Sequence, residues 1–221
     1  MSRDAILFDL DGTLVDSAPD LHQSLNFVLA RLGRPAIQLD EVRAMVGDGV
    51  RVLLERSLAA TGGGIESARF EQAMADYLVH YEAHLADLSR PFPAVAETLA
   101  RLRAAGKRLA VCTNKPHAFS VSLLRQLGLA DHFDAVLGGD SLPVRKPDPG
   151  HLLGTLAAIG REPPQAVMIG DSRNDVAAAR NAGVPVIAVS FGYTVTPPRE
   201  LGADLVIDHF DELAGALDRL S

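Results

Sequence analysis

The chain has 221 residues, 48% of them hydrophobic, and a mean hydropathy of +0.13, enough for one sizeable α/β domain or a core domain with a smaller insert. A formal net charge of -7 with scattered basic residues would repel a long phosphate backbone, which excludes nucleic acid as a partner and leaves a small anionic ligand in a local cation pocket. The single cysteine, Cys112, rules out an internal disulfide and suits a reducing cytosol; with no leader pattern and no apolar run near ~18 residues, a cytoplasmic protein without a membrane span is expected.

Ile6, Leu7 and Phe8 form an apolar run suited to a strand buried on both faces, and Asp9 and Asp11 follow with Leu10 between them. Side chains alternate along an extended chain, so the two carboxylates point to one side, and Gly12 permits a sharp turn just beyond. Both acids then stand at the carboxyl end of a central strand, where open α/β sheets keep their ligand sites. Carboxylates held that close need a cation, a shared proton or solvent; a simple Asp-Gly turn that ends a strand is the alternative.

Ser17, Ala18, Pro19 and Asp20 read as a helix start, with Ser17 as N-cap and an early proline. Leu21, Leu25, Val28, Leu29 and Leu32 continue at helical spacing until Gly33 and Pro35. A pattern over residues 40–60 is split by Gly47, Asp48 and Gly49 into helix, turn and helix. A third pattern sets Phe70, Met74, Tyr77, Tyr81 and Leu85 on one stripe. Residues 17–90 thus read as wholly helical. From Pro91 onward, strands at 109–112, 135–137, 166–169, 185–189 and 205–207 alternate with helical patterns, which implies a parallel sheet covered on both faces. The expected fold is α/β: a doubly wound, Rossmann-like parallel-sheet core from residues 1–16 and 91–221. A small all-helical cap, residues 17–90, is inserted after the first strand and stands over Asp9 and Asp11.

In a parallel sheet the strand ends share one edge. Asp9, Asp11, Thr113, Lys146 and Asp171 each follow an apolar run or its loop and should converge there. Three carboxylates, one ammonium and one hydroxyl suit a hard divalent cation together with a phosphate, because magnesium takes oxygen ligands from a few carboxylates, water and substrate phosphate. Lys146 would offset phosphate charge, and Thr113 with a neighbouring backbone N–H would donate to its oxygens.

The order DxDGT, then TN, then KP, then GDSRND resembles the haloacid dehalogenase-like phosphohydrolase superfamily over nearly the whole chain. The resemblance implies Asp9 as the nucleophile that becomes an aspartyl phosphate, and Asp11 as general acid and later base. It implies Thr113, Asn114 (through its N–H) and Lys146 as phosphate ligands, and Mg2+ held by Asp9, Asp171 and the backbone carbonyl of Asp11. Asp175 becomes a supporting carboxylate. A carboxylic acid at Asp11 can protonate a leaving group near neutral pH only where burial and the Asp9 charge raise its pKa. An acid there also favours phosphate-ester cleavage over dehalogenation, since the dehalogenating relatives lack it.

MVGDGVRVLLERSL and GDSRNDVAAARNAG look most like bacterial phosphoglycolate phosphatases, which implies 2-phosphoglycolate as the small phosphorylated substrate. Another small phosphomonoester such as N-acetylmuramic acid 6-phosphate, pyrophosphate, or a phosphomutase reaction are the alternatives; a non-catalytic binding module would have lost some of Asp9, Asp11, Lys146 and Asp171. Arg51 could bind a substrate carboxylate or be a solvated helix residue. Lys115 and His117 could line the pocket or lie in a solvated loop and helix start. Asp16 could brace the turn into the insert. His80 and His84 have helical metal-ligand spacing without a third ligand, and Cys112 reads as a packing residue.

Overall fold

The computed structural model describes residues 3–220; residues 1–2 and 221 of the expected core segments lie outside them. The opening apolar run forms β1 (Ala5–Phe8). A short strand β2 (Val15–Asp16) leads into helices α1 (Ala18–Arg31), α2 (Leu39–Arg43), α3 (Val50–Ala60) and α4 (Ser67–Ala83), and β3 (Arg90–Pro91) leads out of them. The remainder alternates α5 (Val95–Ala104), β4 (Arg108–Cys112), α6 (His117–Gln126), β5 (Ala135–Leu137), α7 (Pro149–Ala158), β6 (Ala166–Gly170), α8 (Arg173–Ala182), β7 (Val186–Val189), β8 (Leu205–Ile207) and α9 (Leu213–Arg219).

The sheet runs β5-β4-β1-β6-β7-β8, and each neighbouring pair is parallel. Strand β1 lies between β4 and β6, with Phe8 in register with Val111 and Ile169. The chain moves from β1 to one side of the sheet and later returns to the other, so the carboxyl end of β1 is a topological switch point. Both faces of β1 are buried: Ala5 and Leu7 join one apolar cluster, Ile6 and Phe8 the other. Full burial of a large apolar side chain contributes about 1.5–3 kcal/mol, so the position of Asp9 is fixed by the packing of the strand that precedes it.

The segment read as wholly helical, residues 17–90, holds α1 to α4, and strand β3 stands at its very end. Val15 pairs with Pro91 and Asp16 with Arg90 in an antiparallel ribbon, extended by the Phe92 N–H to the Leu14 carbonyl (3.0 Å). Strands this short carry no periodicity to read. The ribbon joins the entry and exit of the helical segment, within which α1 packs against α4, Phe27 stacking on His80 and Arg31 pairing with Asp76. Ser17 stands at the N-cap of α1 without a capping bond. Its hydroxyl donates instead to Asp11 Oδ1 at 2.6 Å. Asp20 accepts from the N–H groups of Leu88 and Ser89 and from the Ser89 hydroxyl, fixing the far end of the insert to its beginning. No helix among the described residues is long and apolar enough to cross a membrane.

Candidate active site

Asp9 follows β1 directly, and its N–H still donates to the Ile169 carbonyl (2.9 Å). Its Oδ1 accepts from the Leu10 N–H at 2.7 Å and lies 3.0 Å from Lys146 Nζ. The same ammonium donates to Asp175 Oδ1 at 2.6 Å. Asp9, Asp171 and Asp175 each offer a carboxylate oxygen within 4.8 Å of the others, and all three residues are buried. Asp171 accepts from the Tyr193 N–H at 2.7 Å. The turn that brings these groups together requires Gly12: its φ is +83°, and a Cβ there would overlap the Asp171 carboxylate.

The electrostatics follow from burial. Desolvation pushes Asp9 up to about 6; the Asp175 charge pushes the same way, while Lys146, Thr113 and the Leu10 N–H oppose it. Asp171 is raised well above the carboxylate range by burial, then by Asp175 and Asp9. Burial works against the Lys146 ammonium, but Asp175 and Asp9 outweigh it and hold its pKa above the usual lysine range. Fully ionised, three carboxylates against one ammonium leave two negative charges uncompensated in a buried site of hard oxygen donors. That set fits magnesium. Asp175 is the member least available to a metal, since it also accepts from the Asp171 and Ser172 N–H groups and from the Ser172 hydroxyl.

Thr113 and Asn114 follow β4 and are buried beside this cluster, as the strand-end reading expects. The Thr113 hydroxyl stands against Asp9. The Asn114 amide donates to the carbonyls of Lys146 and Gly47, both at 2.9 Å, while its Oδ1 has no partner among the described residues. The carboxyl of Asp11 is apart from the carboxylate cluster. It takes the Ser17 hydroxyl and Lys115 Nζ, which lies 3.2 Å from both of its oxygens. The structure thus brings Asp9, Thr113, Lys146, Asp171 and Asp175 into one group and turns the Asp11 side chain toward the insert.

Above Asp9 and Asp11 lies a partly open cavity of about 40 Å³, walled by Leu21, Val50, Leu53, Tyr77, Tyr81 and Phe119. A second cavity, of about 450 Å³, borders Asp11 and Asp171 on the side of Asn174 and Tyr193. The Gly47–Gly49 turn roofs the site from the other side: Asn114 and Asn174 both donate to the Gly47 carbonyl, and Asn174 also donates to Asp48 Oδ1 at 2.7 Å.

Arg51 takes the solvated reading. It is half exposed, donates to both oxygens of Glu71 and lies over the Phe70 ring, away from the cavity. Replacing it by Ala is expected to change kcat/KM less than twofold, checked by steady-state kinetics, because exposed pairs of this kind are worth little. His117 is exposed at the start of α6, where its N–H donates to Asp140. His80 and His84 bond separately to Ser24 and Asp87. Asp16 does brace the turn, accepting from the Tyr193 hydroxyl at 2.6 Å. Cys112 is buried in the sheet, and burial pushes its thiol up to about 11.

Two functional candidates escape the sequence reading. Lys115, open between pocket and solvent there, is buried on Asp11. Tyr193 ties Asp171 to the base of the insert: its N–H holds Asp171, its hydroxyl donates to Asp16 and accepts from the Ala18 N–H at 3.0 Å. The signal for Tyr193 was positional, since it follows β7 as the other site residues follow their strands.

A family model described as haloacid dehalogenase-like hydrolase matches residues 3–183. The chain is 50% identical to a phosphoglycolate phosphatase of Caulobacter vibrioides, over 93% of this chain and 86% of that one. It is 46% identical to a phosphoglycolate phosphatase of Mesorhizobium japonicum, over 96% and 94%. Among solved structures it is similar to a predicted phosphoglycolate phosphatase of Haemophilus somnus, with a TM-score of 0.92 and 34% identity over 96% and 97% of the two chains. CbbY of Rhodobacter sphaeroides, solved with phosphate, superposes with a TM-score of 0.83 at 29% identity over 97% and 99%. The parallel sheet, the buried acidic cluster at its edge and these matches agree, and the chain belongs to the haloacid dehalogenase-like hydrolase family.

Proposed function

We propose that the protein is a magnesium-dependent phosphomonoesterase that converts 2-phosphoglycolate to glycolate and phosphate through an aspartyl phosphate at Asp9. The observation that carries this reading is the buried convergence of Asp9, Thr113, Lys146 and Asp171 at one sheet edge, beside a cavity walled by the helical segment. Residues 17–90 act in it as a cap on the core. Curated relatives at 50% and 46% identity carry the name phosphoglycolate phosphatase and supply the substrate.

Asp9 is the nucleophile, its carboxylate held in one orientation by the Leu10 N–H and Lys146. It attacks phosphorus in line, the ester P–O bond breaks, and the departing glycolate oxygen takes a proton from Asp11. Water then attacks phosphorus, giving a proton to Asp11, and the acyl phosphate bond breaks to release phosphate and restore Asp9. Lys146 and the Thr113 hydroxyl, with the Asn114 N–H, bind the equatorial oxygens. Asp9, Asp171 and the Asp11 carbonyl would hold magnesium, which would supply positive charge for the phosphoryl transfer. Phosphate-monoester hydrolysis calls for rate enhancements approaching ~10²¹, roughly 28 kcal/mol, so these groups act as a set.

The test is phosphate release from a panel of esters with magnesium. The expected result is a kcat/KM for 2-phosphoglycolate at least ~10-fold above that for N-acetylmuramic acid 6-phosphate or pyrophosphate. A different preferred ester would overturn the substrate and leave the chemistry standing. No release from any ester would overturn both.

A further inference from the structure

Tyr77, on α4, is completely buried, yet its hydroxyl has no hydrogen-bond partner among the described residues. Leaving a buried hydroxyl unpaired is costly, and phenylalanine would fill the same space without that cost. The hydroxyl therefore calls for an acceptor that the folded chain does not supply. The residue lines the cavity above Asp9 and Asp11. Of the side chains that the helical segment contributes to that cavity, only Tyr77 and Tyr81 carry a polar group. Tyr81 is already engaged: its hydroxyl accepts from Lys115 Nζ at 2.6 Å, and the ammonium lies 4.7 Å from its ring centroid. The two tyrosine rings stack at 5.8 Å, so the free hydroxyl and the Lys115 ammonium belong to one wall. Burial, then Tyr81, raises the Tyr77 phenol well above its usual range, which leaves it a neutral donor.

We infer that the Tyr77 hydroxyl receives a carboxylate at the end of the substrate remote from phosphorus, on the wall where the Lys115 ammonium, bonded to Asp11 and Tyr81, supplies positive charge. Tyr77 is then a specificity-determining residue, and the protein selects phosphate esters of short hydroxy acids over esters of plain alcohols. The inference rests on the reading above that the substrate is a small phosphomonoester. It accounts for recognition of a carboxylate in a cavity otherwise walled by Leu21, Val50, Leu53 and Phe119, with Arg51 turned away toward Glu71.

The experiment measures binding by calorimetry to the magnesium-loaded protein, wild type and Tyr77→Phe. The ligands are 3-phosphonopropionate, which replaces the ester oxygen of 2-phosphoglycolate by a methylene, and propylphosphonate, which lacks the carboxylate. Wild type is expected to bind 3-phosphonopropionate at least ~10-fold more tightly. Tyr77→Phe is expected to lose about 10-fold on that ligand, in line with a hydrogen bond to a charged group, and less than twofold on propylphosphonate. Its melting temperature should not fall, because the deleted oxygen bonds nothing in the free protein. Equal losses on the two ligands, no loss on either, or a wild type indifferent to the carboxylate would overturn the inference. Because neither ligand is hydrolysed, a wild type that failed to turn over 2-phosphoglycolate while Tyr77→Phe lost its carboxylate selectivity would overturn the proposed substrate and support the role of Tyr77.

Discussion

Asp9→Asn is expected to reduce phosphate release by about 10⁴-fold or more while leaving the fold intact. An amide is a poor nucleophile, and if Asp9 forms the proposed covalent intermediate its loss removes the whole two-step route. The substitution preserves shape, and the amide oxygen can still accept from the Leu10 N–H that now meets Oδ1 at 2.7 Å. Stability gives a second, independent readout. Burial raises Asp9 from 3.8 to about 6, so the folded protein without metal favours the protonated form. Between those two values the folded state binds more protons than the unfolded chain, so this group makes stability fall as pH rises from about 4 to about 6, by about 3 kcal/mol at most. The penalty is fully present above that window and absent below it. Asparagine carries no such charge. Chelator-treated Asp9→Asn should melt no lower than chelator-treated wild type at pH 7, and its melting temperature should decline less between pH 4 and pH 6. Phosphate-release assays check the first claim and thermal unfolding across that range the second. Retention of more than about a hundredth of wild-type activity would remove Asp9 from the nucleophile's place.

The parts of this site that could be read from sequence are those fixed by local pattern. The run Ile6 to Phe8 is apolar at consecutive positions because both faces of β1 are covered, and that alone put Asp9 at a central strand end. Thr113, Lys146 and Asp171 followed from the rule that parallel strands end on one edge. Ser17 and Asp20 look like a local helix start, yet both spend their side chains on distant partners, Asp11 and the Leu88–Ser89 backbone. A hydroxyl or carboxylate has the same spacing signature whether it caps its own helix or braces another loop, so the pattern cannot separate the two. Lys115 and Arg51 show the same limit for cations. One is buried against Asp11 and Tyr81 and the other pairs with Glu71 at the surface, a difference set by which way α3 and the loop before α6 face. The β2–β3 ribbon depends on residues far apart in the chain and only two long on each side. Tyr193 depends on a fold-level fact, the approach of the segment after β7 to the turn at Gly12.

Lys146→Met is the substitution expected to destabilise the metal-free protein most. The ammonium stands 3.0 Å from Asp9 and 2.6 Å from Asp175, and all three side chains are buried. A buried pair contributes little net stability because desolvation offsets attraction, but removing one partner strands the other, at a cost of about 3–5 kcal/mol. Methionine matches the aliphatic stem and fills the space, so the loss reports charge and not a cavity. For a chain of this length that cost corresponds to a fall in melting temperature of roughly 6–20 °C. The stranded carboxylates can relieve their repulsion by taking up protons, so the deficit should grow from pH 5 to pH 8. Adding Asp175→Asn to Lys146→Met removes one of the stranded charges and should recover part of the loss. Magnesium should likewise stabilise Lys146→Met more than wild type, through mass action on a site with greater uncompensated charge. Activity should still fall by about 10²- to 10³-fold in the magnesium-loaded variant, because the cation proposed to meet the developing phosphoryl charge is gone. Thermal unfolding with and without magnesium at the two pH values separates these effects. A deficit independent of pH, and not relieved by Asp175→Asn, would mean that Lys146 acts through packing and not as the counter-charge of the acidic cluster.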